Sequence, residues 1–144
     1  YLNGKVLIQD KDEAVDEFNV VTETSPTDAE SRDLKFAMTV VKHTKSNAIV
    51  IAKDLQTLGV GCGQTSRIWA LESIKNNHPD KDFTGSVMSS DAFFPFDDCV
   101  EFANSIGVKS IIQPGGSIRD KDSIDKCNEN EISMVFTKNR HFKH

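Results

Sequence analysis

The sequence is poor in the residues that small proteins use as staples or metal cages. Its 144 residues include three cysteines, Cys62, Cys99 and Cys127. They form no Cys-x-x-Cys, so neither a disulfide framework nor a structural zinc site is implied. They read instead as buried or half-buried free thiols in a reducing compartment. The four histidines, His43, His78, His141 and His144, make no i, i+4 pair of the kind that ligates zinc on a helix. No metal ligand set is assigned from spacing.

Basic residues are also in the minority. Seventeen Lys and Arg face 22 Asp and Glu, a net charge of −5. A nucleic-acid partner, which calls for a basic face, is therefore not expected. Small anions are not excluded, since local charge decides their binding. No apolar run approaches the roughly 20 residues that span a bilayer, so no membrane partner is expected. Tyr1-Leu2-Asn3-Gly4-Lys5 lacks the apolar core of a signal peptide. The missing initiator Met points to a chain processed or cut from something longer. The expected location is cytoplasmic.

What is present suits one folding unit. Apolar residues make 38% and charged residues 27% of the chain, a globular rather than a disordered balance. A chain of this length can bury roughly 70% of its unfolded surface without staples. Residues 1–26 are acidic and weakly patterned, a lead-in or surface arm around Lys11–Glu17. Thr27 followed by Glu30 fits a capping box, and Leu34, Ala37, Met38 and Val41 repeat at helical spacing. That helix is expected to end near Lys42-His43.

Asn47–Ala52 is a short apolar run suited to a buried strand, with Thr57–Val60 as its hairpin partner. A helix carrying Ile68, Leu71 and Ile74 follows, then a polar break at Asn76–Asp80. The second half alternates: strand Gly85–Ser89, helix Phe96–Ser105, strand Val108–Gln113, helix within Ser117–Asn128, strand Ile132–Thr137. Strands separated by helices imply βαβ units and a largely parallel sheet. The expected class is α/β.

Four segments carry chemical interest. Gly59-Val60-Gly61-Cys62-Gly63 is neither a Rossmann nor a P-loop spacing and reads as a tight strand-to-helix turn. Gln64, Ser66 and Arg67 behind it stand at a helix amino end, where an anion or carbonyl oxygen is favoured. Ser89–Asp98 places Phe93, Phe94 and Phe96 around Pro95, at the strand end where open α/β sheets bind ligands. At least one ring belongs to the core, and another is free to face a flat heterocycle. Asp98 either reads the N–H edge of such a ring or places charge at a helix start. Gln113-Pro114-Gly115-Gly116-Ser117 is either an anion-binding nest or a Pro-Gly turn capped by Ser117. The basic tail Lys138–His144 holds Arg140, whose planar guanidinium matches phosphate oxygens.

Together, and in this order, Lys42–Asn47, Gly59–Arg67, Ser90–Phe96, Gln113–Ser117 and Phe136–His144 resemble the carboxy-terminal part of the AICAR transformylase/IMP cyclohydrolase family. The resemblance runs from about Leu7 to His144. It implies a cytidine-deaminase-like three-layer αβα fold, duplicated within the transformylase, with residues 27–144 as the second copy. The deaminase zinc pattern of His-x-Glu with Pro-Cys-x-x-Cys is lacking here, so the resemblance brings no zinc chemistry.

The implied activity is formyl transfer from 10-formyltetrahydrofolate to the amine of AICAR, in purine biosynthesis. By the resemblance, AICAR contacts fall on Asn47, Arg67, Phe93 and Arg140. Folate contacts fall on Ile68, Asp98, Ser117 and Ile118. A potassium ion is implied near Thr44–Ser46 and Asp91, and a homodimer for the whole protein. The family's catalytic Lys-His pair belongs to the first copy, so no catalytic residue is assigned, and Lys42-His43 matches a different motif. Two departures stand out: Cys62 replaces a commonly smaller residue, and Lys138-Asn139 replaces a segment that often begins with glycine. The alternative is a non-catalytic binding or dimerisation module; a deaminase is disfavoured by the absent zinc ligands.

Overall fold

The computed structural model describes residues 17–138. Within them the order is β1 (Asn19–Val20), α1 (Asp28–Lys42), β2 (Ile49–Lys53), β3 (Gln56–Gly61), α2 (Arg67–Asn77), β4 (Val87–Ser90), α3 (Asp98–Ile106), β5 (Ser110–Gln113), α4 (Asp120–Glu129) and β6 (Ser133–Phe136). The strands form a six-stranded sheet in the order β1-β6-β5-β4-β2-β3.

The start of α1 follows from two side chains. The Thr27 hydroxyl accepts the Glu30 amide at 3.1 Å, and the Glu30 carboxylate accepts the Thr27 amide at 2.9 Å. This reciprocal pair satisfies two donors that the helix itself leaves open. Leu34, Ala37, Met38 and Val41 then bury their stripe against Val50, Ala52, Val87, Ile112 and Val135. The strand neighbours Ile49, Ile51, Met88, Ile111 and Met134 face the other way, into a core shared with α2, α3 and α4. That split follows from the alternation of side chains across a strand. The result is three layers, with α1 alone on one face among the described residues. Each large apolar side chain fully buried in these cores contributes roughly 1.5–3 kcal/mol.

The sheet is mixed rather than largely parallel. β4, β5 and β6 are parallel, as two successive βαβ units require. β2 is antiparallel to both β3 and β4, and β1 is antiparallel to β6. The β2–β3 reversal comes from the two-residue loop Asp54-Leu55, whose φ angles of 53° and 57° are both positive. Such a tight hairpin normally takes Asn-Gly or Asp-Gly. Here the buried Asp33 carboxylate accepts both loop amides, at 3.1 and 2.9 Å, and offsets the strain.

One helix starts later than the pattern implies, α3 at Asp98, whereas α4 begins at Asp120, inside the expected span. Before α4, the Gly116 and Ser117 amides bond to the Asp120 carboxylate and make a turn of that stretch. The acidic lead-in ends as an edge strand: Asn19 and Val20 pair with Phe136 and Val135. The Thr22 hydroxyl accepts the Met134 amide at 2.9 Å. Among the described residues no helix is long and apolar enough to cross a membrane.

Candidate functional site

Strand register decides which segments can share a site. Ile49 lies opposite both Gly61 of β3 and Ser90 of β4. The residues before β2, after β3 and after β4 therefore emerge together at one end of the sheet. There Asn47, Thr65, Ser66, Arg67, Ala92, Phe93 and Pro95 line a cleft of about 300 Å³. Three of the four expected AICAR contacts, Asn47, Arg67 and Phe93, meet in it. The fourth, Arg140, lies outside the described residues.

The cleft walls are held by backbone and by one buried ion pair. The Asn47 amide donates to the Gln64 carbonyl at 3.3 Å, and the Gly63 amide to the Lys45 carbonyl at 3.0 Å. These bonds tie the approach to β2 against the glycine turn. Ser66 caps α2 by accepting the Trp69 amide at 3.3 Å, so the helix start that was expected to favour an anion is partly satisfied by its own cap. Arg67, the first residue of α2, is only 8% exposed, and its Nη2 lies 3.1 Å from Oδ1 of the fully buried Asp91. The Ser46 hydroxyl donates to the other oxygen of that carboxylate at 2.6 Å.

The three phenylalanines separate by role. Phe94 is completely buried, Phe96 is 53% exposed, and Phe93 is half-buried on the cleft wall. The Phe94 amide donates to the side-chain oxygen of buried Gln113 at 3.3 Å, which ties the aromatic segment to the end of β5. Arg119 stands 5.4 Å from the centre of the Phe96 ring.

A second cleft of about 450 Å³ opens between α2 and α3. Ile68 and Glu72 come from α2, and Asp98, Glu101, Phe102 and Ser105 from α3. The expected folate residues Ile68 and Asp98 are thus brought together. Asp98 is also the first residue of α3, so its helix-start and cleft-lining positions coincide. Ser117 and Ile118 line neither cleft, and Ile118 is fully exposed. Their loop nevertheless borders the first cleft, since a Cβ on Gly116 would lie 4.0 Å from the Phe93 ring. Of the two readings left open for that stretch, nest or turn, the turn is the one formed. Asp120 supplies its own carboxylate to the Gly116 and Ser117 amides, at 2.8 and 3.1 Å. Ser117 in turn accepts the Arg119 amide at 3.1 Å.

The thiols need one correction. Cys99 and Cys127 are buried as expected, but Cys62 is exposed, because the glycine turn that carries it projects from the sheet end. Burial pushes the Cys99 thiol well above its ordinary range, with the Asp98 carboxylate adding to it. Burial alone pushes Cys127 up to about 12.

The sequence profile of the AICARFT/IMPCHase bienzyme matches residues 1–76. The chain belongs to the AICARFT/IMPCHase family. It is 58% identical to the bifunctional purine biosynthesis protein PurH of Clostridioides difficile, across 100% of this chain and 28% of that relative. It is 56% identical to PurH of Caldicellulosiruptor saccharolyticus, across 99% of this chain and 28% of the relative. For PurH of Fusobacterium nucleatum the identity is 54%, across 99% and 29%. The chain therefore spans less than a third of the curated relatives it matches. A solved deaminase/reductase from Thermotoga maritima, the diaminohydroxyphosphoribosylaminopyrimidine deaminase/5-amino-6-(5-phosphoribosylamino)uracil reductase, superposes with a TM-score of 0.50. It shares 16% identity and covers 76% of this chain and 35% of that one. This likeness concerns the fold, which is cytidine-deaminase-like.

Within this AICARFT/IMPCHase chain, Asn47, Arg67 and Ile68 fall inside the profile match. Phe93, Asp98, Ser117, Ile118 and Arg140 fall in the part matched by the relatives. Sequence reasoning placed no weight on the Arg67–Asp91 pair, on Ser46 as its partner or on Gln113. The sequence names Asp91 and Ser46 only as part of an implied potassium region and Gln113 only within a turn motif. Burial and pairing supply the rest.

Proposed function

We propose that this chain is the carboxy-terminal portion of an AICAR transformylase, supplying AICAR and folate contacts for formyl transfer in purine biosynthesis. The observation that carries the reading is the convergence of Asn47, Arg67 and Phe93, from three separate segments, on one cleft of about 300 Å³. The amide of Asn47 and the guanidinium of Arg67 suit the carboxamide and amine of AICAR, and the ring of Phe93 suits its imidazole. Arg140 is assigned the phosphate.

The α2–α3 cleft carries Glu72, Asp98 and Glu101. Such carboxylates accept hydrogen bonds and repel anions. The N–H edge of the pterin of 10-formyltetrahydrofolate fits there, with Ile68 against its flat face. Ser117 and Ile118 are left to the rest of the folate. The potassium ion implied near Thr44–Ser46 and Asp91 does not fit the side chains as they stand: Asp91 is engaged by the Arg67 guanidinium at 3.1 Å and the Ser46 hydroxyl at 2.6 Å, and the Thr44 hydroxyl donates to the Val40 carbonyl at 2.8 Å. In the whole protein the chain contributes positioning, holding the amine where the formyl carbon can reach it. The Lys-His pair of the first copy handles the proton.

Titration calorimetry of the chain with AICAR tests this reading. Binding weakened by Phe93→Ala and by Arg140→Ala is the expected result, with no formyl transfer by the chain alone and turnover by the whole protein. Normal turnover by the isolated chain would sink it. A second reading is favoured by exposed Trp69, Phe96 and Ile118, at 56%, 53% and 100%. It is a non-catalytic module that serves homodimer assembly. Self-association in ultracentrifugation with no heat from AICAR would favour that one.

A further inference from the structure

We infer that Asp91 is a positioning residue for the AICAR cleft, acting through Arg67 and through the segment that carries Asn47. The inference rests on the functional reading above and extends it to a residue that touches no substrate.

Asp91 has no exposed surface, and it does not line the cleft. Its contacts reach three cleft walls at once. Oδ1 lies 3.1 Å from Nη2 of Arg67 at the start of α2. Oδ2 accepts the Ser46 hydroxyl at 2.6 Å, and Ser46 directly precedes Asn47. Its backbone amide donates to the Ala48 carbonyl at 3.3 Å, on the far side of Asn47. Two residues onward the same segment delivers Phe93. One carboxylate thus fixes the spacing between the amide, the guanidinium and the aromatic ring.

Electrostatics explains why a carboxylate is needed there. A guanidinium that is only 8% exposed is costly to bury without a counter-charge. A planar side chain held at one end presents its remaining N–H groups in a set direction. Without Asp91 the buried guanidinium loses its counter-charge, which favours a shift that misaligns its N–H groups in the cleft. The effect falls on substrate binding more than on the chemical step.

The test uses the whole protein that carries this chain, with AICAR as titrant and formyl transfer as the assay. Asp91→Asn is expected to raise the KM for AICAR about tenfold or more, with kcat changing much less and the folate KM holding. Asp91→Glu, which keeps the charge, is expected to recover part of the loss. In an Arg67→Ala background, Asp91→Asn is expected to add little, since both changes remove one interaction. Should Asp91→Asn fail to fold, Ser46→Ala deletes one donor, keeps the ion pair, and is expected to raise the AICAR KM about threefold.

A folded Asp91→Asn protein with unchanged AICAR KM would overturn the inference. So would full additivity with Arg67→Ala, or an unchanged KM in Ser46→Ala where Asp91→Asn cannot be made. If the unsubstituted protein takes up no AICAR, the functional reading itself fails, which is a distinct result.

Discussion

Single residues here owe their chemistry to depth. Cys99 and Cys127 sit in the core between the sheet and its three-helix face. Burial raises both thiols, Cys127 to about 12, so at neutral pH neither has an appreciable thiolate fraction. Cys62 is exposed on the glycine turn. Iodoacetamide at pH 8, followed by peptide mass spectrometry, is expected to label Cys62 in the native protein. Cys99 and Cys127 should label only after denaturation. Native labelling of Cys99 as fast as that of Cys62 would contradict the burial argument. Depth also separates acids that look alike in the sequence. Asp33 and Asp91 are buried and tie backbone or cation. Asp120 is spent on its own turn, and Asp98 is left to line a cleft.

Elements meet through close backbone approach as well as apolar side chains. The tightest is β3 against α2. A Cβ on Gly61 would lie 2.0 Å from the Ala70 carbonyl oxygen, and one on Gly59 would lie 2.3 Å from a methyl of Ile74. The methyl moves only if the stiff Ile74 side chain changes rotamer, whereas relieving the carbonyl means moving the α2 backbone itself. Gly61→Ala is therefore expected to destabilise by about 3 kcal/mol or more, above the usual range for overpacking. Gly59→Ala should cost clearly less. Urea denaturation midpoints read the difference, and equal losses would mean that the helix backbone yields as readily as a side chain. Gly61 also sits just ahead of the turn into Arg67, so the same substitution is expected to weaken AICAR binding. In this light Gly59 and Gly61 answer a packing requirement, and Gly63, with φ of 65° and open space around it, answers a turn requirement; together they bring a helix start to the cleft.

At the scale of the molecule, the layering sets a gradient of protection. β4 and β5 are flanked on both sides and covered by helices on both faces, whereas β1 and β3 are edges. Native-state hydrogen exchange should be slowest in β4 and β5 and fastest in β1 and the outer side of β3. Uniform exchange across the sheet would show that it opens as one unit. Much of this architecture was legible in the linear pattern. The Thr27 capping box, the α1 stripe, the β2–β3 hairpin and the alternating second half depend on local periodicity and caps, which a sequence displays directly. The aromatic segment and the glycine turn were legible as candidate site pieces for the same reason. The antiparallel pairing of β2 with β4 and of β1 with β6 was not, because it depends on which strands lie side by side rather than on any local pattern. The choice between nest and turn at Gly116 was not legible either, because it rests on a neighbouring side chain, Asp120, taking the amides a ligand would need. By itself, the sequence determined the elements, the family resemblance and the residue types offered to a ligand. Only the tertiary structure decided that Asn47, Arg67 and Phe93 share one cleft and that Asp91 stands behind it. Register and burial join residues far apart in the chain, and no local pattern carries them.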